Sequence, residues 1–163
     1  MAASESKGPC AGMVVVRVAL GLTLFLHALG AIRSGMPDGF ALGNQVRARL
    51  DDVPSVAAFW GESVLLENPD AVAFLWRWAV LILGAALLAG ALTRPVGWLT
   101  TLLLLHGWLY GPELTGPACL FAAACAAGCA LSRAGHRLGL DPLLEQMLPS
   151  WLTWRGPRKS FLD

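Results

Sequence analysis

Four stretches of the chain are apolar on every side of a helix, with no polar face: residues 13–32, 72–92, 95–110 and 114–131. A transmembrane helix needs roughly 20 mostly apolar residues, with a range of about 17–25. Three of the stretches meet that length, and 95–110 is slightly short. A soluble bundle would put charged residues on the same helices. Here residues 79–91 are apolar or glycine all round, and 99–105 is broken only by Thr100 and Thr101. The stretches do not alternate, which excludes barrel strands. The pattern therefore predicts an all-α, integral membrane four-helix bundle over residues 1–141. A long outer loop, 33–71, joins the first two spans, and an interfacial amphipathic and basic tail follows at 142–163.

Composition supports this pattern. Hydrophobic residues make up 56% of the 163 and charged residues 14%, against about 45–50% and about 25% in average soluble domains. Mean hydropathy is +0.59. Disorder needs the opposite balance. A net charge of +1 gives nucleic acid nothing to recognise. The first span has an apolar core longer than a signal peptide's and no A-x-A-like site after it, so it is expected to be retained.

Lys and Arg set orientation. With the N-terminus inside, Lys7, Arg17, Arg94, Arg133, Arg137, Arg155, Arg158 and Lys159 fall on the inner side. Only Arg33, Arg47, Arg49 and Arg77 fall outside. Both termini are expected inside, in a bacterial inner membrane, with Arg17 snorkelling at the inner end of its helix.

In the outer loop, residues 35–39 carry turn chemistry, and 44–50 fit one or two helical turns. Residues 53–67 read as an amphipathic stretch, with Val56, Phe59, Trp60, Val64 and Leu65 near helical spacing. That stretch is expected to lie across the outer mouth of the bundle as a cap. Asn68-Pro69-Asp70 starts the second span, with Pro in the first turn. The tail, with Leu143, Leu144, Met147, Leu148, Trp151, Leu152 and Trp154 before a basic cluster, reads as an interfacial anchor that meets lipid.

Helices in lipid pack through small residues. Ala118, Ala122, Ala126 and Ala130 lie four apart, and the second span adds Gly84, Ala86 and Gly90. Cys119, Cys125 and Cys129 share one apolar helix, so they are expected to be packing residues and not a redox pair.

Ionisable residues inside a span are candidates for function. His27, Arg77 and His106 all fall at the outer level of the spans, with Trp76, Trp78, Trp108 and Tyr110 near them. One reading is structural: a histidine bonded to a neighbouring carbonyl and an arginine snorkelling. A second is a shallow pocket for a quinone headgroup, formed by His27, Arg77, His106 and Trp108, because a neutral imidazole and a guanidinium both donate to carbonyls. A third is haem b held by His27 and His106. A proton relay is the fourth.

Arg17-x-Ala19-Leu20-Gly21-Leu22, running into Phe25-Leu26-His27, resembles the opening helix of the DoxX family. Gly84…Leu88-x-Gly90-x-x-Thr93-Arg94 is similar to that family's second helix and its Thr-Arg turn, and Leu138-Gly139-Leu140-Asp141 to its closing Leu-Asp signature. The long outer loop resembles the DoxD-type branch, the membrane subunit of thiosulfate:quinone oxidoreductase. The resemblance covers about residues 13–141. It implies a four-helix membrane subunit of a quinone-linked oxidoreductase. Ala28 stands where the family often has Gly, and Trp76-Arg77-Trp78 where an acidic residue is common. Of the family's polar span positions, His27 alone carries over. That leaves two expectations open. The chain is a quinone-binding redox subunit, or a non-catalytic accessory subunit that stabilises a larger respiratory or photosynthetic complex.

Overall fold

The structure, a computed structural model, describes residues 11–35, 39–110, 117–132 and 139–147. Every regular element among them is helical: α1 (Ala11–Arg33), α2 (Gly39–Arg49), α3 (Ser55–Trp60), α4 (Pro69–Ala89), α5 (Thr93–Tyr110), α6 (Pro117–Ser132) and α7 (Asp141–Met147). α3 runs directly into a single π turn, Gly61–Leu65. The tail from 148 onward, with its tryptophans and basic cluster, lies outside the described residues.

Helix ends follow local chemistry more closely than hydrophobicity. α4 starts at Pro69, where the missing N–H costs nothing. Its last residue is Ala89, three residues before the apolar stretch runs out, and Gly90 caps it. Gly90 takes a left-handed φ of 63°, and Gly90 and Ala91 donate their N–H groups back to the Leu87 and Ala86 carbonyls at 3.2 and 3.0 Å. This double bond pattern closes a helix whatever the hydrophobicity of the residues beyond it. α2 covers eleven residues, more than the one or two turns expected over 44–50.

Helix α1 packs extensively on α4, and α5 on α6. Lesser contacts join α1 to α6 and α4 to α5. At the α1–α4 crossing the backbones touch. A Cβ on Gly84 would fall 2.8 Å from the Phe25 nitrogen, and one on Gly21 2.8 Å from the Leu88 nitrogen. At the α5–α6 crossing, a Cβ on Gly97 would meet the Ala130 Cβ at 2.8 Å and the Ala126 carbonyl at 2.9 Å. Small residues do set both crossings, but the ridge on α6 differs from the expected one. The buried line is Cys119, Ala123, Ala126 and Ala130, while Ala118 is exposed. A strict four-residue step advances about 40° per step around a 3.6-residue helix, so such a line drifts out of the interface. Cys119, Cys125 and Cys129 carry free thiols. The Thr101 hydroxyl donates to its own helix at Gly97 (2.8 Å) and lies 3.3 Å from the Ala123 carbonyl across the interface.

The main core joins Leu24, Ala28, Val80, Leu87, Val96, Leu104, Cys119 and Ala123. A second, smaller core of Val46, Leu65 and Tyr110 ties α2 and the π turn to the end of α5. Outside these cores the surface is apolar on every long helix: Val15 and Leu26 on α1, Leu75 and Ile82 on α4, Leu99 and Leu102 on α5, Phe121 on α6. Two helices, Gly12–Arg33 and Pro69–Ala89, are long and apolar enough to cross a membrane, and Ala118–Ser132 is a shorter apolar helix.

Arg17 departs most from expectation. It is 1% exposed, and so does not snorkel. Its guanidinium occupies the space beside Gly90, where any Cβ would collide with Nη1. Its charge is offset by the Asp141 carboxylate. Asp141, itself buried, accepts the Thr93 backbone N–H at 3.1 and 3.3 Å and so caps the start of α5 from a remote segment. The Leu140 and Asp141 N–H groups donate to the Ala89 and Gly90 carbonyls at 3.1 and 3.0 Å. One polar knot thus closes the end of α4, the start of α5 and the start of α7 on an arginine of α1.

Asp141→Ala is expected to cost about 3 kcal/mol or more, because it removes a cap and leaves a buried cation without its counter-charge. Asp141→Asn keeps an acceptor and should fall between it and the parent. Thermal unfolding of the detergent-solubilised variants gives the order.

Candidate functional site

The expected site residues Arg77, His106 and Trp108 each meet different partners. Arg77, on the third turn of α4, donates from Nη1 to the Ala31 carbonyl and the Gly35 carbonyl, both at 2.7 Å. Ala31 is one of the last four residues of α1, whose carbonyls have no partner within the helix. A cation there is also favoured by the helix dipole. Arg77 therefore caps α1 instead of facing a ligand. His27 lies one turn earlier on α1, on an exposed face.

His106, on α5, is half-buried in a shell of rings. Trp76 of α4 lies 5.3 Å from it between centroids, and Tyr110 lies 5.1 Å away. The Trp60 indole, at the end of α3, donates from Nε1 to His106 Nε2 at 3.3 Å. An accepting Nε2 in a neutral imidazole puts the ring proton on Nδ1. Gly107 makes room for the shell: a Cβ there would meet Trp76 Cζ2 at 2.8 Å. Tyr110 in turn donates its hydroxyl to the Ala57 carbonyl. Residues from α3, α4 and α5 thus meet about 6 Å inside the end of α5, at 1.5 Å per residue.

Trp108 is not part of this shell. Two residues along a helix point to different sides, and Trp108 turns outward while its carbonyl accepts from Arg49 Nη1 at 3.5 Å. The same spacing rule selects Tyr110, one turn beyond His106. Trp60 carried no such signal, because its contact joins positions 46 residues apart. Arg17 was underrated for a similar reason: its partner Asp141 sits far along the chain.

The set of groups limits the chemistry. His27 is exposed on α1, whereas the Nε2 of His106 accepts from the Trp60 indole. The His106 shell offers one imidazole and aromatic faces, which suits a flat ring with a carbonyl, but the second donor expected from Arg77 is engaged elsewhere. No family model matches the chain, and no curated protein or solved structure matches it.

Arg77→Met is expected to cost about 1–2 kcal/mol, because the Gly35 carbonyl loses its cationic donor and the Ala31 carbonyl, at the end of α1, keeps only the Ser34 hydroxyl at 3.0 Å. Amide deuterium exchange should rise at 31–35 and stay unchanged in α5. His106→Phe leaves the Trp60 indole N–H without its acceptor, at about 1 kcal/mol. Exchange should then rise over 55–66, whereas Trp108→Phe should leave that segment protected.

Proposed function

We propose that the chain is a DoxX-like integral membrane subunit that serves a quinone-linked electron-transfer complex as a non-catalytic, accessory component. In this reading α1, α4, α5 and α6 cross a bacterial inner membrane, both termini lie inside, and α2 and α3 lie at the outer end. The observation that carries it is the inverted distribution of polarity. Phe121 is 73% exposed, Leu75 65% and Ile82 61%, while Arg17, Thr93, Thr100, Thr101 and Asp141 are buried. Water does not tolerate apolar surface on every face of a helix group, whereas lipid does. At 1.5 Å per residue α5 and α6 are about 27 and 24 Å long, close to a hydrocarbon layer of about 30 Å.

Three segments that resemble DoxX motifs contribute to one knot: Arg17, Gly90 with Thr93, and Asp141. This supports the family resemblance, because residues far apart in the chain serve one structural purpose. The accessory role is preferred to a catalytic one because Arg77 caps a helix and Trp108 points away from His106. A second reading keeps the quinone headgroup but moves it to the His106 shell, where aromatic rings flank a single imidazole.

Purification from native membranes in mild detergent tests the choice. The accessory role predicts co-purification with larger subunits in fixed ratio, and a quinone content unchanged by His27→Ala and His106→Ala. Loss of quinone in His106→Ala alone would move the function to the shell. Release of the chain from membranes by carbonate would overturn the membrane reading itself.

A further inference from the structure

The stretch expected to cap the bundle by its apolar face does the reverse. Of Val56, Phe59, Trp60, Val64 and Leu65, only Leu65 is buried. Val56 is 81% exposed and Phe59 72%, and Trp60 and Val64 are exposed as well. The inner side of the segment is made of small residues instead. Gly61 sits so close to Tyr110 that a Cβ would lie 3.3 Å from its ring, and Ala57 belongs to the same small core. The π turn adds one residue to the helical repeat, closed by the Leu66 N–H on the Gly61 carbonyl at 3.0 Å. That turn swings Leu65 inward and leaves Val56, Phe59, Trp60 and Val64 on one outward face.

The Trp60 hydrogen bond fixes the depth of this face. Its acceptor, His106, lies a full turn before the end of α5, so the end of α3 sits beside the spanning helices and not above them. Phe59 and Val64 flank Trp60 at this level. Ser63 shares the outward face, and its hydroxyl turns back to the Phe59 carbonyl at 2.7 Å, so it does not demand water. Indole and apolar side chains on one face, at the edge of the hydrocarbon, are the composition of a membrane-interface segment.

We infer that α3 and its π turn form an interfacial anchor whose outward face inserts into the outer leaflet, with lipid as its occupant. This rests on the membrane reading of α4 and α5 given above. The segment then acts as a lateral fin that fixes how deep the outer end sits, and not as a lid over the bundle.

The test uses the full chain in lipid vesicles, with its native cysteines replaced by alanine or serine. An environment-sensitive fluorophore is attached at Val56→Cys, Phe59→Cys or Val64→Cys. Ile82→Cys reports the middle of α4, and Glu67→Cys reports water. The inference expects labels at 56, 59 and 64 to be blue-shifted. They should be quenched by lipid brominated near the headgroup and shielded from aqueous iodide, unlike the label at 67. Iodide quenching at 56, 59 and 64 with the label at 82 still quenched by lipid brominated deep in its acyl chains would overturn the anchor and leave the membrane reading intact. Iodide quenching at 82 as well would overturn both. Protection from iodide without quenching by brominated lipid would also overturn it, since a protein would then cover the face.

Discussion

A buried guanidinium sets the terms for the rest of this fold. Removing a charge from water is costly, and the cost is met only where opposing charge and hydrogen bonds are held in place. Arg17 draws that arrangement from two separate stretches of the chain, 90–93 and 140–141. Gly90 supplies space, Asp141 supplies charge, Thr93 anchors the carboxylate, and Leu140 locks the incoming segment to the end of α4. Each of these elements would otherwise end in unsatisfied backbone groups. The polar knot therefore orders the turn between α4 and α5 and brings α7 back against it. The apolar crossings above it need only small residues to close.

The other end of the long helices, where α3 meets α5, is held together differently. There the polar groups are single and local: Arg77 of α4 on the Ala31 carbonyl of α1, Tyr110 on α3, Trp60 on His106. The last two join α3 to α5, beside a small core of Val46, Leu65 and Tyr110. The group expected to receive a ligand is therefore divided among three tasks. Arg77 finishes a helix, His106 seats an indole, and His27 faces outward. What remains of a ligand site is the aromatic shell of His106.

The helices were legible in the sequence because hydrophobic runs and breakers act over a few residues. Pro69 and Gly90 mark the ends of α4 through backbone geometry alone. Counting residues from the helix ends places His106 and Arg77 at the same end of the bundle, and the Trp76 contact with His106 agrees. Direction around the helix was less legible. Trp108 shares the depth of His106 but, two residues on, points to another side, and a line of alanines four apart on α6 drifts out of the interface. The face of residues 53–67 could not be assigned, because its large apolar side chains face outward while glycine and alanine pack inward. A reader of hydrophobicity assumes that large apolar groups seek the core, and that holds only when the surroundings are water. Pairings such as Arg17 with Asp141 depend on the folded topology, which spacing along the chain does not encode.

The glycine contacts at the two crossings have a mechanical meaning. Where Gly21 meets Gly84, main chain rests on main chain, with no flexible side chain between to absorb displacement. Gly97 against Ala126 and Ala130 is nearly as unyielding. The four long helices thus amount to two stiff slabs, α1 with α4 and α5 with α6, that share thinner seams. The charged knot rivets the slabs together at one end. At the opposite end Trp76 against His106, and α2 packed on both α4 and α5, join the same two slabs a second time.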